Sequence, residues 1–278
     1  MPNPEKYELG CNGVFKISSL EMKTAVKKPR WWIFAGLLLL CACEKLERNN
    51  PLDPRNPGSE RPRLVFVEAF VNEATPFSAF SLQALDSLAA NFSLQQVIVV
   101  EHHLPSTKFT DAYALGESAD RYRLLTAANP AVPDIFFNGS SRRVQGASSV
   151  HAVFLRCGSA VQAEIGNSAH FTIEATKQIS ATRAEIDVTV ARLGNTSFPA
   201  FTVTAILWED LGSTGRHHLV RKVLPPQNFT GIAAGERKSA HFSASFSNSI
   251  HAARLQAAVV VESINGGERE VLQAALAE

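Results

Sequence analysis

Residues 65–80 read VFVEAFVNEATPFSAF, and the folding of this stretch decides how the rest is organised. Arg63 to Phe70 is nearly continuously apolar, the pattern of a strand buried on both faces. Phe77, Phe80, Ala84, Leu85, Leu88 and Phe92 then recur at three- and four-residue spacing, which predicts an amphipathic helix. Glu73 to Pro76 form the loop between them, so the side chains that follow sit at a helix N-terminus. A hydroxyl there, from Thr75 or Ser78, is expected to cap the helix, a contact worth ~1 kcal/mol.

Working outward, Val97 to Val100 reads as a second buried strand. Ala119, Tyr122, Leu125 and Ala128 share one face of a helix over 117–128, stopped by Pro130. VPDIFFNG (132–139) is a strand ending at a turn, and RVQG (143–146) is a short partner. Val150, Val153, Phe154, Cys157, Val161 and Ile165 line a closing helix. The order is βαβαββα. From about residue 168 the pattern changes to short alternating strands: Phe171, Ile173, Ala175; Ile186, Val188, Val190; Phe201, Val203, Ala205, Leu207. Others follow near 217–224, 238–246, 253–263 and 268–275. About seven such strands, separated by Gly, Asn and Ser turns, predict an immunoglobulin-like sandwich.

The N-terminal region has a different character. MKTAVKKPRWWIFAGLLLLCAC (22–43) places Lys23, Lys27, Lys28 and Arg30 before a short apolar core, Trp31 to Leu40. That is the layout of an export signal and is shorter than the ~20 apolar residues of a membrane span. Its end resembles a bacterial lipobox: Leu40 lies three before Cys43 and small Ala42 immediately before it, which makes Cys43 the lipid-bearing first mature residue. Cys41 follows bulky Leu40, which a cleavage pocket rejects. Residues 1–21 precede a complete signal with its own Met22 and read as a start-site overcall. Residues 43–62, with Pro51, Pro54, Pro57 and Pro62, read as an extended tether. Two domains are then expected, 63–166 and 167–278.

VFVEAF, LQALDSLAANF and VPDIFFNG together resemble the thioredoxin-like outer-membrane lipoproteins that carry a β-sandwich after a thioredoxin domain; VLQAAL near the C-terminus is similar to the family's ending. The resemblance implies an α/β thioredoxin-like domain followed by an all-β immunoglobulin-like sandwich. It also implies a cis peptide bond at Val132–Pro133 facing the active-site loop. Redox-active members carry Trp-Cys-x-x-Cys; here Ala74, Thr75, Pro76, Phe77 and Ser78 stand at those positions. Thiol–disulfide exchange needs a thiolate, which neither hydroxyl supplies. What the resemblance leaves is a groove for an extended peptide, with Thr75, Ser78, Val132 and Pro133 as its candidate contacts.

Other signals are weaker. The net charge is +1 with no basic–aromatic run, so no nucleic-acid partner is expected. The four cysteines are not spaced for a disulfide or zinc framework, and no metal or cofactor is expected. Cys157 reads as a buried small hydrophobe. His102-His103 and His217-His218 read as surface or turn residues. Glu68 and Glu101 lie in buried-type strands, but no nucleophile accompanies them for acid–base work. The expectation is a non-enzymatic binding or assembly module of the cell envelope, anchored by lipid to the outer membrane. Its partners would be the membrane and an extended peptide or envelope protein. The alternative is an envelope thiol oxidoreductase or peroxidase using Cys157.

Two acyl chains anchor a protein stably where one does not. Cys43→Ser should therefore move the protein to the soluble fraction and abolish labelling by palmitate, while Cys41→Ser should change neither. Palmitate incorporation by the Cys43→Ser protein would rule out this site.

Overall fold

In the computed structural model, residues 60–278 are described, apart from 127–128, 213–215, 248 and 266. Cys11, Cys41, Cys43, the signal and most of the tether lie outside the described residues, as does Ala128. Every residue of the second strand, β2 (Val65–Val71), is buried, including Glu68 in the middle of its apolar run. β1 is the short Arg61–Pro62 segment before it, and β3 (Val97–His103) runs parallel to β2 from Val65↔Val97 to Val71↔His103. β4 (Asp134–Phe137) pairs antiparallel on the other side of β2, and β5 (Arg143–Gln145) pairs with β4. Three helices accompany them: α1 (Pro76–Ala89), α2 (Gly116–Leu125) and α3 (Val150–Glu164).

Strand alternation sends one set of side chains to each face. Val65, Val67, Val97 and Val99 face Ala84, Leu85 and Leu88 of α1 and Val153, Cys157 and Val161 of α3. Phe66, Ile98 and Val100 face the other way, onto the C-terminal half. That half contains β6 (Ser168–Ala169), β7 (Phe171–Ile179), β8 (Arg183–Arg192), β9 (Phe201–Glu209), β10 (Leu219–Val223), β11 (Gln227–Phe229), β12 (Arg237–Ser245), β13 (Leu255–Asn265) and β14 (Glu268–Leu276). β12, β8 and β7 form a three-stranded sheet. It shares a core with β9 and β13 through Ile186, Val188, Phe242, Val203, Leu207 and Val259. β11 is three residues long, too short to show a period, and the alternation pattern misses it.

The halves are joined by backbone as well as by packing. β10 lies beside β3, with Leu219 paired to Glu101 and the Glu101 N–H donating to the His218 carbonyl at 2.8 Å. One nine-stranded sheet thus runs β14-β13-β9-β10-β3-β2-β4-β5, with β11 beside β9. This sheet folds back on itself: Ile206, Trp208, Ala258, Val260 and Val271 pack onto Phe66, Ile98 and Val100. The free edge that β3 would present to solvent is covered by the chain's own strand.

The close approach is locked at the end of β4. Asn138 donates its N–H to the Phe66 carbonyl and accepts from Phe66 through Oδ1, while its own carbonyl receives the Val271 N–H. Gly139 follows with φ 103°, and a Cβ there would lie 2.1 Å from the Arg269 carbonyl oxygen. Only glycine fits both constraints.

Between the folded leaves lies a buried charge cluster. Arg121 of α2 donates from Nε and Nη2 to Glu68 of β2 at 2.7 and 2.8 Å. The same guanidinium donates from Nη1 and Nη2 to Glu262 of β13 at 2.9 and 2.7 Å. Thr204 adds a hydroxyl bond to Glu262, and His102 Nε2 stands 3.3 Å from Glu68. Burial would raise the Glu68 carboxyl, but the charge and hydrogen bonds of Arg121 outweigh it and hold the group well below the usual range.

Three expectations are corrected. Phe77 is 52% exposed and does not start the inward stripe of α1; Ser78, Ser81 and Leu82 do. The 117–128 helix ends at Leu125, because Thr126 is already extended, and its buried side includes Arg121. His102 and His103 are fully buried, not at the surface. β3 runs three residues past the apolar run used to place it, carrying both rings inside with it.

Removing Arg121 would leave two carboxylates buried side by side. Arg121→Ala should cost ~3–5 kcal/mol of folding stability, read as a lowered urea midpoint. An exposed control, Arg123→Ala, should stay within ~0.5 kcal/mol of the parent protein.

Candidate functional site

The loop after β2 and the segment before β4 leave the same end of the sheet. Phe70 pairs with Asp134, so Asn72 onward and Val132-Pro133 are neighbours by register. The Val132–Pro133 peptide bond is cis. Thr75 holds the N-cap position of α1 but caps nothing with its side chain. Its Oγ1 instead donates to the Asn72 carbonyl at 3.0 Å and lies 2.6 Å from Ser78 Oγ. Ser78, fully buried, also accepts the Asn72 N–H at 3.2 Å. The expected cap is replaced by a hydroxyl pair that closes the loop onto the first turn.

The surroundings of this pair are open. Ala74, Pro76 and Phe77 are exposed, and Phe109 on the adjoining loop is 46% exposed. Asp111 of that loop accepts the Glu73 N–H at 2.7 Å and holds His103 Nδ1 at 2.8 Å, which fixes the two loops together. Val132 is half-buried against Phe70, Tyr122 and Phe136. Its main-chain N–H and C=O bond to none of the described residues. Pro133 is buried beside it. Among the described residues no cluster of His, Cys, Asp or Glu has the arrangement of a metal site.

Solved structures that share this fold include the following two. A structural-genomics protein of Agrobacterium tumefaciens is 18% identical, with a TM-score of 0.50 over 78% of this chain and 95% of its own. HBP35 of Porphyromonas gingivalis is 12% identical, with a TM-score of 0.59 over 77% of this chain and 74% of its own. A domain of the outer membrane lipoprotein Omp28 from P. gingivalis overlaps 40% of this chain at a TM-score of only 0.32. At these identities the likeness concerns the fold alone. No protein-family model matches the chain, and no curated protein does.

The other residues singled out from the sequence fall elsewhere. Cys157 is buried between α3 and the sheet, and burial pushes its thiol up to about 12. Glu68 is tied into the Arg121 cluster. Glu101 is fully buried on the face of β3 that carries Val97 and Val99, and neither carboxyl oxygen has a hydrogen-bond partner among the described residues. Burial, aided by the charge of Asp86, pushes it up to about 8. His218 is pushed down to about 4, mainly by burial and then by His217. Sequence reasoning missed Arg121, Glu262 and Asp86. The one legible signal was Glu262, an acid inside the apolar run VVVESI.

Glu101 binds its proton more tightly folded than unfolded, so its contribution to stability is complete below its ordinary value near 4.5 and is lost as the pH rises through about 8. Glu101→Gln keeps the shape without the ionisation. Its denaturant midpoint should match that of the parent protein near pH 4 and exceed it clearly at pH 9. Parallel losses in the two proteins between those pH values would mean that Glu101 carries no trapped proton.

Proposed function

We propose that the protein is a lipid-anchored component of the bacterial cell envelope, carried on the outer membrane, that works as a binding or assembly module and not as an enzyme. In this reading its N-terminal half is a thioredoxin-like domain without redox chemistry and its C-terminal half an immunoglobulin-like sandwich. The observation that carries it is the 2.6 Å Thr75–Ser78 hydroxyl pair at the N-terminus of α1. A helix N-terminus activates a thiol by stabilising its anion; a hydroxyl there stays protonated, and these two hydroxyls are engaged with one another.

The groove beside the pair supports binding of an extended segment. The main-chain N–H and C=O of Val132 bond to none of the described residues, which leaves a donor and an acceptor for strand-like pairing with a peptide. Phe77, exposed at the mouth, supplies an apolar contact that an inward Phe77 would not. Thr75 Oγ1 is the polar contact from the loop, whereas Ser78 supports it from within. Nothing comparable favours the thiol reading: Cys157 is covered on the apolar face of α3, and its thiol is held protonated.

The test uses the full chain as bait in envelope extracts. A partner captured by the parent protein should be lost by at least ~tenfold with Ala74→Trp, whose ring fills the groove without entering the core. Insulin reduction should be absent from both the parent protein and Cys157→Ala. Reductase turnover that disappears with Cys157→Ala would establish the oxidoreductase instead. A partner bound equally by Ala74→Trp would place binding on another surface.

A further inference from the structure

Between α2 and the connection from β10 to β11 lies a groove of about 260 Å³ with mostly apolar walls. Leu124, 46% exposed, forms one lip. Pro225 and Pro226, both exposed, form the other, with Val223 and Leu224 beside them. Arg121 and Thr204 of the buried charge cluster line its inner side, and so does Arg269 of β14.

Arg269 is the odd member of this lining. Its side chain is only 11% exposed, and Nη1 stands 3.7 Å from Glu262 Oε2, beyond hydrogen-bond distance. That Glu262 oxygen already accepts from Arg121 Nη1 and from the Thr204 hydroxyl, which occupies both of its lone pairs. Nη1 is therefore buried without a hydrogen-bond partner, and neither Nε nor Nη2 donates to any of the described residues. Of the buried side-chain nitrogens and oxygens in this lining, Nη1 alone is unmet among the described residues. Such atoms are rare in folded proteins and call for an explanation.

The charge around the groove selects its occupant. Glu117 and Asp120 line the rim and are both paired, Glu117 with Lys222 Nζ at 2.9 Å and Asp120 with Arg123. Arg121 spends its Nε, Nη1 and Nη2 on Glu68 and Glu262. A basic occupant would meet only acids that already hold a cation. An acidic one meets a guanidinium whose Nε–Nη2 edge matches the two oxygens of a carboxylate. The walls suit an apolar body, and the volume limits that body to a small molecule.

We propose that this groove binds a small aliphatic monocarboxylate. Its carboxylate pairs with the Nε–Nη2 edge of Arg269, and its chain lies between Leu124 and the wall formed by Val223, Pro225 and Pro226. Arg269 then serves the cluster through the charge beside Glu262 and the ligand through hydrogen bonds. The site shares no residue with the groove at Thr75 and Val132 and does not depend on the binding proposed there.

The test is calorimetric titration of the full chain with n-octanoate at pH 7 and low salt. Saturable binding is expected. n-Octanol, with the same chain and no charge, and n-octylammonium, with the charge reversed, should each bind at least ~tenfold more weakly. Arg269→Lys keeps the charge and loses the planar fork, and should weaken octanoate at least ~fivefold. Leu124→Asp alters an exposed lip and leaves the buried cluster intact, so the protein stays folded. The carboxylate it places beside the groove should weaken octanoate at least ~tenfold. Absence of saturable octanoate binding, equal affinity for octanol or octylammonium, or binding undiminished in either folded variant would overturn the proposal.

Discussion

A single guanidinium holds the two leaves of this molecule in register. Arg121 meets Glu68 on β2 with one pair of donors and Glu262 on β13 with another, and all three groups are withdrawn from water. A buried ion pair adds little net stability by itself, because desolvation opposes the Coulomb gain. Its geometry is another matter. Phe66, Ile98 and Val260 would pack adequately in several offsets of one leaf against the other, since apolar contact is non-directional. A planar fork with its donors divided between two carboxylates tolerates no such slippage. The Asn138 bonds to Phe66 and Val271, with the close approach at Gly139, fix the same register at the end of β4.

The fold-back accounts for an economy in the α/β half. A sheet of this kind needs cover on both faces. Here α1 and α3 cover one face, while the other is covered mainly by the molecule's own β9, β13 and β14, with α2 closing the end. β9 is buried on both sides as a result: Val203 and Leu207 face the three-stranded sheet, and Ile206 and Trp208 face β2 and β3. The change of pattern near residue 167 is real in the sequence, yet the sheet runs through both halves.

Much of this architecture was legible because periodicity reports burial. The strands that begin at 65, 97, 134, 171, 183, 201, 219, 237, 255 and 268 all fall where apolar runs or alternation place them. What periodicity does not report is which polar residues are taken inside with the run. His102 and His103 extend β3 beyond its apolar stretch, and Arg121 occupies the inward side of a helix whose mean composition is polar. The burial of Arg121 depends on partners 53 and 141 residues away along the chain, for which a local pattern holds no trace. Phe77 erred the other way. It fits the spacing of the stripe, but Pro76 opens the helix there and the inward place is taken by Ser78, drawn in by Asn72 and Thr75.

Polar groups are met differently at the head of α1 and at Asp86 and Glu101. At the head of α1 Thr75, Ser78 and Asn72 bond among themselves, and the main chain of Val132 bonds to none of the described residues. At Glu101 and Asp86 the balance is reversed, since among the described residues neither Glu101 oxygen nor Asp86 Oδ1 has a hydrogen-bond partner. Packing alone would favour a glutamine or a methionine at Glu101, because a carboxyl kept in its protonated form by burial lowers stability as the pH rises.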